Sequence, residues 1–366
     1  MPLDFRTIAL PEARTALPGT RAIAYWLFFV AGLVWAMVAI GGATRLTGSG
    51  LSIMEWAPLS GALPPLSEAE WQRLYDLYRS IPQYALVNQG FGIEGFKEIF
   101  WLEWIHRQWG RLIGLAYGGG LAWFWLRGRI PAGSKPRLLG LLALGALQGG
   151  IGWYMVASGF AADRTAVAPY RLVIHLGLAL VIFAALVWTA LELLRPQGDA
   201  PASARPVRRM LKLAVWTLVA AMLAGGFVAG IRAGFAYNTF PLMEGQLVPA
   251  GYLDLTPWWH NLTANVAAVQ FNHRLLATLS ALFVAGAVWA ALRRLPAGGA
   301  QRAVLALGAV VALQYGLGVV TLLHVVPIAL GTLHQAMAVA VLAAALVALH
   351  ALRPAPASPS RAQRAS

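Results

Sequence analysis

Eight long apolar runs, at 22–44, 101–126, 137–158, 170–194, 209–231, 266–292, 302–324 and 328–351, limit what this chain can become more than any other feature. A helix needs about 20 such residues to cross a hydrocarbon core of about 30 Å, where every backbone N–H and C=O must find its partner inside the protein. The runs therefore predict an all-α integral membrane protein with eight transmembrane helices. Its 59% hydrophobic and 11% charged residues lie outside the range of soluble domains.

A net charge of +14 raises the question of nucleic acid, but the basic residues sit in short connections between the runs. Arg6, Arg14 and Arg21 precede the first run, and Arg127, Arg129, Lys135 and Arg137 separate the second and third. Arg195, Arg205, Arg208, Arg209 and Lys212 lie between the fourth and fifth, Arg293, Arg294 and Arg302 between the sixth and seventh, and Arg353, Arg361 and Arg364 at the end. All of them fall on one side, which the positive-inside rule makes cytoplasmic. This predicts a multi-pass protein of the cell inner membrane, with both termini inside, membrane lipid around it and no nucleic-acid partner. Cysteine is absent, so disulfides, thiolate ligands and a cysteine nucleophile are excluded.

The segmentation follows. Residues 1–21 read as a cytoplasmic tail, not a signal peptide, and 353–366 as a disordered tail. A Pro/Ala/Ser-rich linker at 196–208, with a hinge over 196–206, divides a first half, 22–195, from a second, 209–352. The outer side carries a long loop, 45–100, and a shorter one, 233–264. Within the first, Ser67-x-x-Glu70 reads as a capping box, followed by Trp71, Leu74, Tyr75 and Tyr78 at helical spacing. That amphipathic helix either lies in the interface as a lid or packs on the bundle surface.

Glu103 to Arg111, EWIHRQWGR, brings a carboxylate, a histidine and two arginines to a membrane edge. An ionisable residue costs up to about 3 kcal/mol at the bilayer centre, so a role is the default expectation. Glu103 and His106 share one helix face at i and i+3, and Gly110, Gly114 and Gly118 continue below the histidine, leaving a slot for something flat.

The halves repeat. LQGGIG from Leu147 recurs as LQYGLG from Leu313, Gly41-Gly42 as Gly225-Gly226, and His106-Arg107 as His273-Arg274. His175 after Pro169 matches His334 after Pro327, so two four-helix bundles in parallel topology are predicted. Each of the four histidines has a small residue one turn below it: Gly110, Ala179, Ala277 and Ala338. His260, His324 and His350 stand outside the pattern. Two histidines per bundle are too few for zinc or a dinuclear iron site, which want three or four ligands. Haem needs one or two axial histidines and a slot, with arginines to neutralise its propionates. Arg107 and Arg274 follow two of the histidines directly, and Arg45, Arg164, Arg171 and Arg232 lie on the same side. Two bis-histidine haem sites are the economical reading.

GGATRLTGSGLSIMEW from Gly41, NQGF from Asn88, FKEIFWLEWIHRQWGRLIGLAY from Phe96, AGIRAGFAYNTFPLM from Ala229 and QFNHRL from Gln270 resemble the haem A synthase family of mitochondria and alphaproteobacteria. The resemblance covers about 22–350. It implies eight helices in two pseudo-symmetric bundles and oxidation of the C8 methyl of haem O to a formyl group, giving haem A for cytochrome oxidase. It further implies His106 and His175 as ligands of the substrate haem iron, His273 and His334 as ligands of a haem b, and Glu103 as the catalytic carboxylate. Haem O synthase and the cytochrome oxidase assembly machinery become expected partners, with room for a homo-oligomer. Some relatives carry a cysteine pair in the outer loops that this chain lacks.

Two other readings share the histidine pattern: a bis-haem cytochrome b exchanging electrons with quinone, and a non-enzymatic haem carrier. Glu103 favours the enzyme. Three residues before His273 stands Gln270, nearly isosteric with Glu103, so ionisation rather than packing is expected to distinguish the halves.

Overall fold

A computed structural model describes residues 19–354 except 59, 196 and 197. Most of the N-terminal tail read as cytoplasmic and nearly all of the C-terminal tail read as disordered lie outside the described residues. Ten α-helices are formed among the described residues: α1 Thr20–Leu46, α2 Glu68–Arg79, α3 Pro82–Leu86, α4 Ile93–Leu126, α5 Lys135–Ala157, α6 Pro169–Leu194, α7 Arg205–Gly230, α8 Val266–Arg294, α9 Gly299–Leu323 and α10 Ile328–Ala351. β-Structure there is confined to isolated bridges. The protein is an all-α, multi-span membrane protein, with seven helices among the described residues long and apolar enough to cross a bilayer. The remaining long helix, α4, has 34 residues and begins eight before the apolar run at 101, which lifts Glu94, Lys97 and Glu98 clear of its apolar part.

Within lipid, helices associate by close packing and interhelical hydrogen bonds more than by a hydrophobic drive. α1 and α6 pack on each other, with α4 against α1 and α5 against α6. α7 packs on α8, which meets α9, and α10 closes the second group against α9 and α7. The groups meet where α1 touches α10 and α6 touches α7. Indole and phenol groups tie the first group through backbone carbonyls: Trp26 Nε1 donates to Ala116 O at 2.9 Å, Trp109 Nε1 to Leu33 O at 2.8 Å and Tyr117 Oη to Leu138 O at 2.7 Å. Each such bond is worth about 0.6–1.7 kcal/mol in a membrane. Across the groups, Trp35 Nε1 donates to Ala336 O at 2.8 Å and Gln335 Nε2 to Val38 O at 3.1 Å.

The stretch read as a hinge is pinned where it is described. Ala200 N donates to Arg353 O at 3.0 Å, and Ala200 and Ala204 join the core of the second group. Only half of the expected capping box forms at α2. Ser67 Oγ accepts from Glu70 N at 3.2 Å, while the Glu70 carboxylate turns to Arg73. α2 buries Trp71, Leu74 and Tyr78 against Phe96, Ile99 and Phe100 on the extension of α4, which is the packed alternative of the two readings.

Candidate functional site

The four repeat-related histidines lie on α4, α6, α8 and α10, and each is met by a glycine of a neighbouring helix. A Cβ on Gly41 would lie 3.3 Å from His106 Nε2. One on Gly152 would lie 3.0 Å from His175 Cε1, on Gly225 3.0 Å from His273 Cε1, and on Gly318 2.8 Å from His334 Cε1. Those glycines are the repeated ones of the sequence. The doublets divide their labour: Gly41 and Gly225 face a histidine of their own half, while Gly42 abuts Gln335, and Gly226 abuts Val173 and Leu176, across the boundary. Gly114 and Gly118, expected to line a slot below His106, have open space where a Cβ would be, and Gly110 meets only Met37 Cε at 3.6 Å.

His106 and His175 lie within electrostatic reach of each other in the first group. In the second, the rings of His273 and His334 have centroids 6.4 Å apart. Two imidazoles on opposite sides of one metal, with metal–nitrogen bonds of about 2 Å, have centroids about 6 Å apart, so this pair fits a six-coordinate haem iron. His273 Nδ1 lies 2.8 Å from Ala221 O, so Nε2 is the nitrogen that a metal would take. Gln148 and Gln314 each reach a histidine: Nε2 lies 3.2 Å from His175 Nδ1 and from His334 Nδ1, and donates at 3.0 Å to the backbone oxygen of the same residue. Their role was missed in the sequence, although the repeated LQ pair marked them. Among the described residues no group of three or more His, Asp or Glu gathers as a metal site.

Glu103 is buried, 3% exposed, and fully engaged. Its Oε2 accepts from Ser52 Oγ at 2.8 Å and Ile53 N at 2.9 Å, and its Oε1 accepts from Arg107 Nε at 3.1 Å and Nη2 at 2.6 Å. Arg107 also donates to the carbonyls of Glu55, at 2.8 Å, and Ile53. Gln108 donates to Gly61 O at 2.9 Å, and Arg111 to Pro58 O at 3.0 Å and Ala57 O at 2.7 Å. Three side chains of α4 thus strap the first loop to the helix at Ile53, Glu55, Ala57, Pro58 and Gly61.

The second group repeats the strap in shorter form. Arg274 donates to Thr239 O at 2.9 Å, Tyr237 O at 2.6 Å and Gln270 Oε1 at 2.7 Å. Gln270 Nε2 donates to Ala233 O at 2.8 Å and Ala236 O at 2.5 Å. Hydrogen-bond polarity therefore separates Glu103 from Gln270: the first loop presents donors and the second acceptors. The two positions thus differ in hydrogen-bond surroundings as well as in side-chain chemistry.

Of the other arginines, Arg45 donates to Ala229 O at 2.9 Å and Gly230 O at 3.2 Å, satisfying the end of α7 from across the boundary. Arg171 lies 3.7 Å over the Tyr154 ring. His350 packs edge-on against Trp188 at 5.4 Å, far along α10 from His334.

Outside the spanning helices, Arg73 donates to both oxygens of Glu55, at 2.8 and 2.9 Å. That pairing holds the Glu55 carboxyl below the usual carboxylate range and, with Glu70, raises Arg73. Burial raises the Tyr78 phenol.

A sequence profile described as cytochrome oxidase assembly protein matches residues 24–346. "Heme A synthase" of Granulibacter bethesdensis is 54% identical over 331 residues, covering 90% of this chain and 87% of that one. "Heme A synthase" of Rhodospirillum centenum is 48% identical over 366 residues, covering 98% and 95%. That of Parvibaculum lavamentivorans is 48% identical over 334 residues, covering 90% and 94%.

Proposed function

The chain belongs to the cytochrome oxidase assembly protein family, and from that premise we propose that it is a haem A synthase, an oxidoreductase converting the C8 methyl of haem O to the formyl of haem A. The observation that carries this reading is the duplicated histidine pair, each ring seated against a glycine, with the second pair spaced for one iron between them. A haem is the group this donor set fits.

His106 and His175 hold the substrate haem, and His273 and His334 hold haem b. Haem b, when bound, supplies one-electron chemistry; the residues supply position and electrostatics. Glu103 is the catalytic carboxylate. Its fixed hydrogen bonds hold negative charge three residues ahead of His106, where it stabilises positive charge developing as a methyl group is oxidised. Arg107 and Arg274 offer propionates the N–H groups their straps leave over. The straps and α2 limit water at the first site.

We orient the molecule with its straps and haem sites towards the outer face of the inner membrane and α4 as an eighth span. The apolar end of α4 and the basic connections at the opposite end support that orientation. The two four-helix groups are then pseudo-symmetric bundles separated near 196–208, haem O arrives from haem O synthase, and the product serves the cytochrome oxidase assembly machinery.

The decisive experiment is expression with haem O supplied, followed by extraction and identification of the bound haems. Haem A alongside haem b is the expected result. Unaltered haem O together with retained haem b would leave a haem-binding protein without this activity.

A further inference from the structure

The seam between α8 and α9 is clasped at the level of its histidine pair. The Tyr315 hydroxyl on α9 lies 2.9 Å from Thr278 Oγ1 on α8, and the Tyr315 ring meets Phe240 of the strap at 6.2 Å. Each member has a counterpart in the first half. Tyr315 follows Gln314, the contact of His334, as Gly149 follows Gln148, the contact of His175. Thr278 comes five residues after His273, as Arg111 does after His106. Phe240 follows Thr239, whose carbonyl receives Arg274, as Trp56 follows Glu55, whose carbonyl receives Arg107.

None of the three closes the seam between α4 and α5. Gly149 has no side chain, and a Cβ there would meet nothing within 4 Å. Arg111 is drawn off to the carbonyls of Ala57 and Pro58. Trp56 meets Trp153 at 6.2 Å instead, four residues beyond Gly149 and hence about 6 Å nearer the strapped end. α4 and α5 also touch less than α8 and α9 do, and Leu147, Gly149 and Gly150 are all exposed.

Resting on the haem A synthase reading, we propose that the α4–α5 seam beside Gly149 is a lateral passage through which the substrate haem moves between the membrane and its site. The Trp56–Trp153 pair roofs this passage. The Tyr315–Thr278–Phe240 clasp is the same seam shut, so that the second haem stays resident. A substrate that must arrive and leave at every turnover needs an open side. An amphiphile with a long isoprenoid tail reaches that side from lipid, whereas a cofactor needs a closed site.

The test uses the full-length protein in lipid nanodiscs, loaded with haem b and haem O, and follows haem transfer to excess apomyoglobin by absorbance. Wild type should release haem O quickly and haem b slowly. Gly149→Tyr should slow haem O release on the order of tenfold with haem b content unchanged, and Gly149→Ala should release it as wild type does. Tyr315→Gly should speed haem b release by a similar factor, with Tyr315→Phe between the two. Unchanged haem O release from a Gly149→Tyr protein that keeps haem b would overturn the passage. If Gly149→Tyr does not fold, haem b release from Tyr315→Gly at the wild-type rate overturns it instead. Failure of wild type to bind haem O at all would overturn the synthase reading along with the passage, whereas binding with unaltered release defeats the passage alone.

Discussion

Glu103 and Gln270 occupy matching positions in surroundings of opposite polarity, which makes exchange between them costly in both directions. A carboxylate at 270 would face the carbonyls of Ala233 and Ala236 with no proton to give, leaving a buried acceptor unpaired at about 1–3 kcal/mol and a half-buried one beside it. Gln270→Glu should therefore lower the melting temperature and haem b content together, read by thermal denaturation and haem extraction. Glu103→Gln keeps an oxygen for Ser52 and Ile53 but turns an NH2 towards Arg107. It should lose about 1.5–3 kcal/mol at that bond and make little haem A, with haem b retained. Wild-type haem A output from that variant would leave Glu103 only the strapping role. Gly318→Ala and Gly152→Ala press a methyl onto a histidine ring, so each should shift the absorption and lower the content of the haem in its own half. Glu103 and its histidine could be picked from the sequence because helical spacing alone joins them. The polarity around Glu103 could not, because Ser52 and Ile53 lie some 50 positions away in a loop without periodicity.

Among the elements, the strap of the first loop and α2 share one anchor, Arg73, which joins Glu55 of the strap to Glu70 of the helix. A carboxyl held below its ordinary value contributes stability above its unfolded pKa, and that contribution is lost as pH falls through its folded pKa. Proteolysis of the first loop should thus stay slow at neutral pH and rise only below the usual glutamate range near pH ~4. Arg73→Gln should make cleavage fast throughout and flatten that dependence. Shortening 67–80 strips the cover from Phe96 and Phe100 on α4, so it should reduce haem A formation more than haem b content. Equal losses would indicate misfolding. The amphipathic spacing of Trp71, Leu74 and Tyr78 foretold this helix. Its docking on α4 depends on the early start of that helix at Ile93, which charges at Glu94 and Lys97 concealed from a search for apolar runs.

At the scale of the whole molecule, all eight apolar runs became helices, with ends displaced by a few residues except at α4. Apolar length is a local property and so is readable; which helix meets which is not. Reporter fusions after residues 60 and 245 should lie outside and those after 133, 203 and 298 inside, and a single reversed loop would break the proposed orientation. The repeat predicted the pairing of histidines but not the contact between α1 and α10, which are separated by almost the full chain. Trp35 and Gln335 make that contact, and Gly42 lies beneath Gln335. α1 also carries Gly41, the seat of His106. Because α1 precedes α10 in the chain, it gains that neighbour only after the helices between them have been made. Until then it stands in the membrane with one side bare, and His106 rests on an unbraced support. The first half, though made before the second, is completed only with it, and the seat of His106 is braced only once α10 is in place.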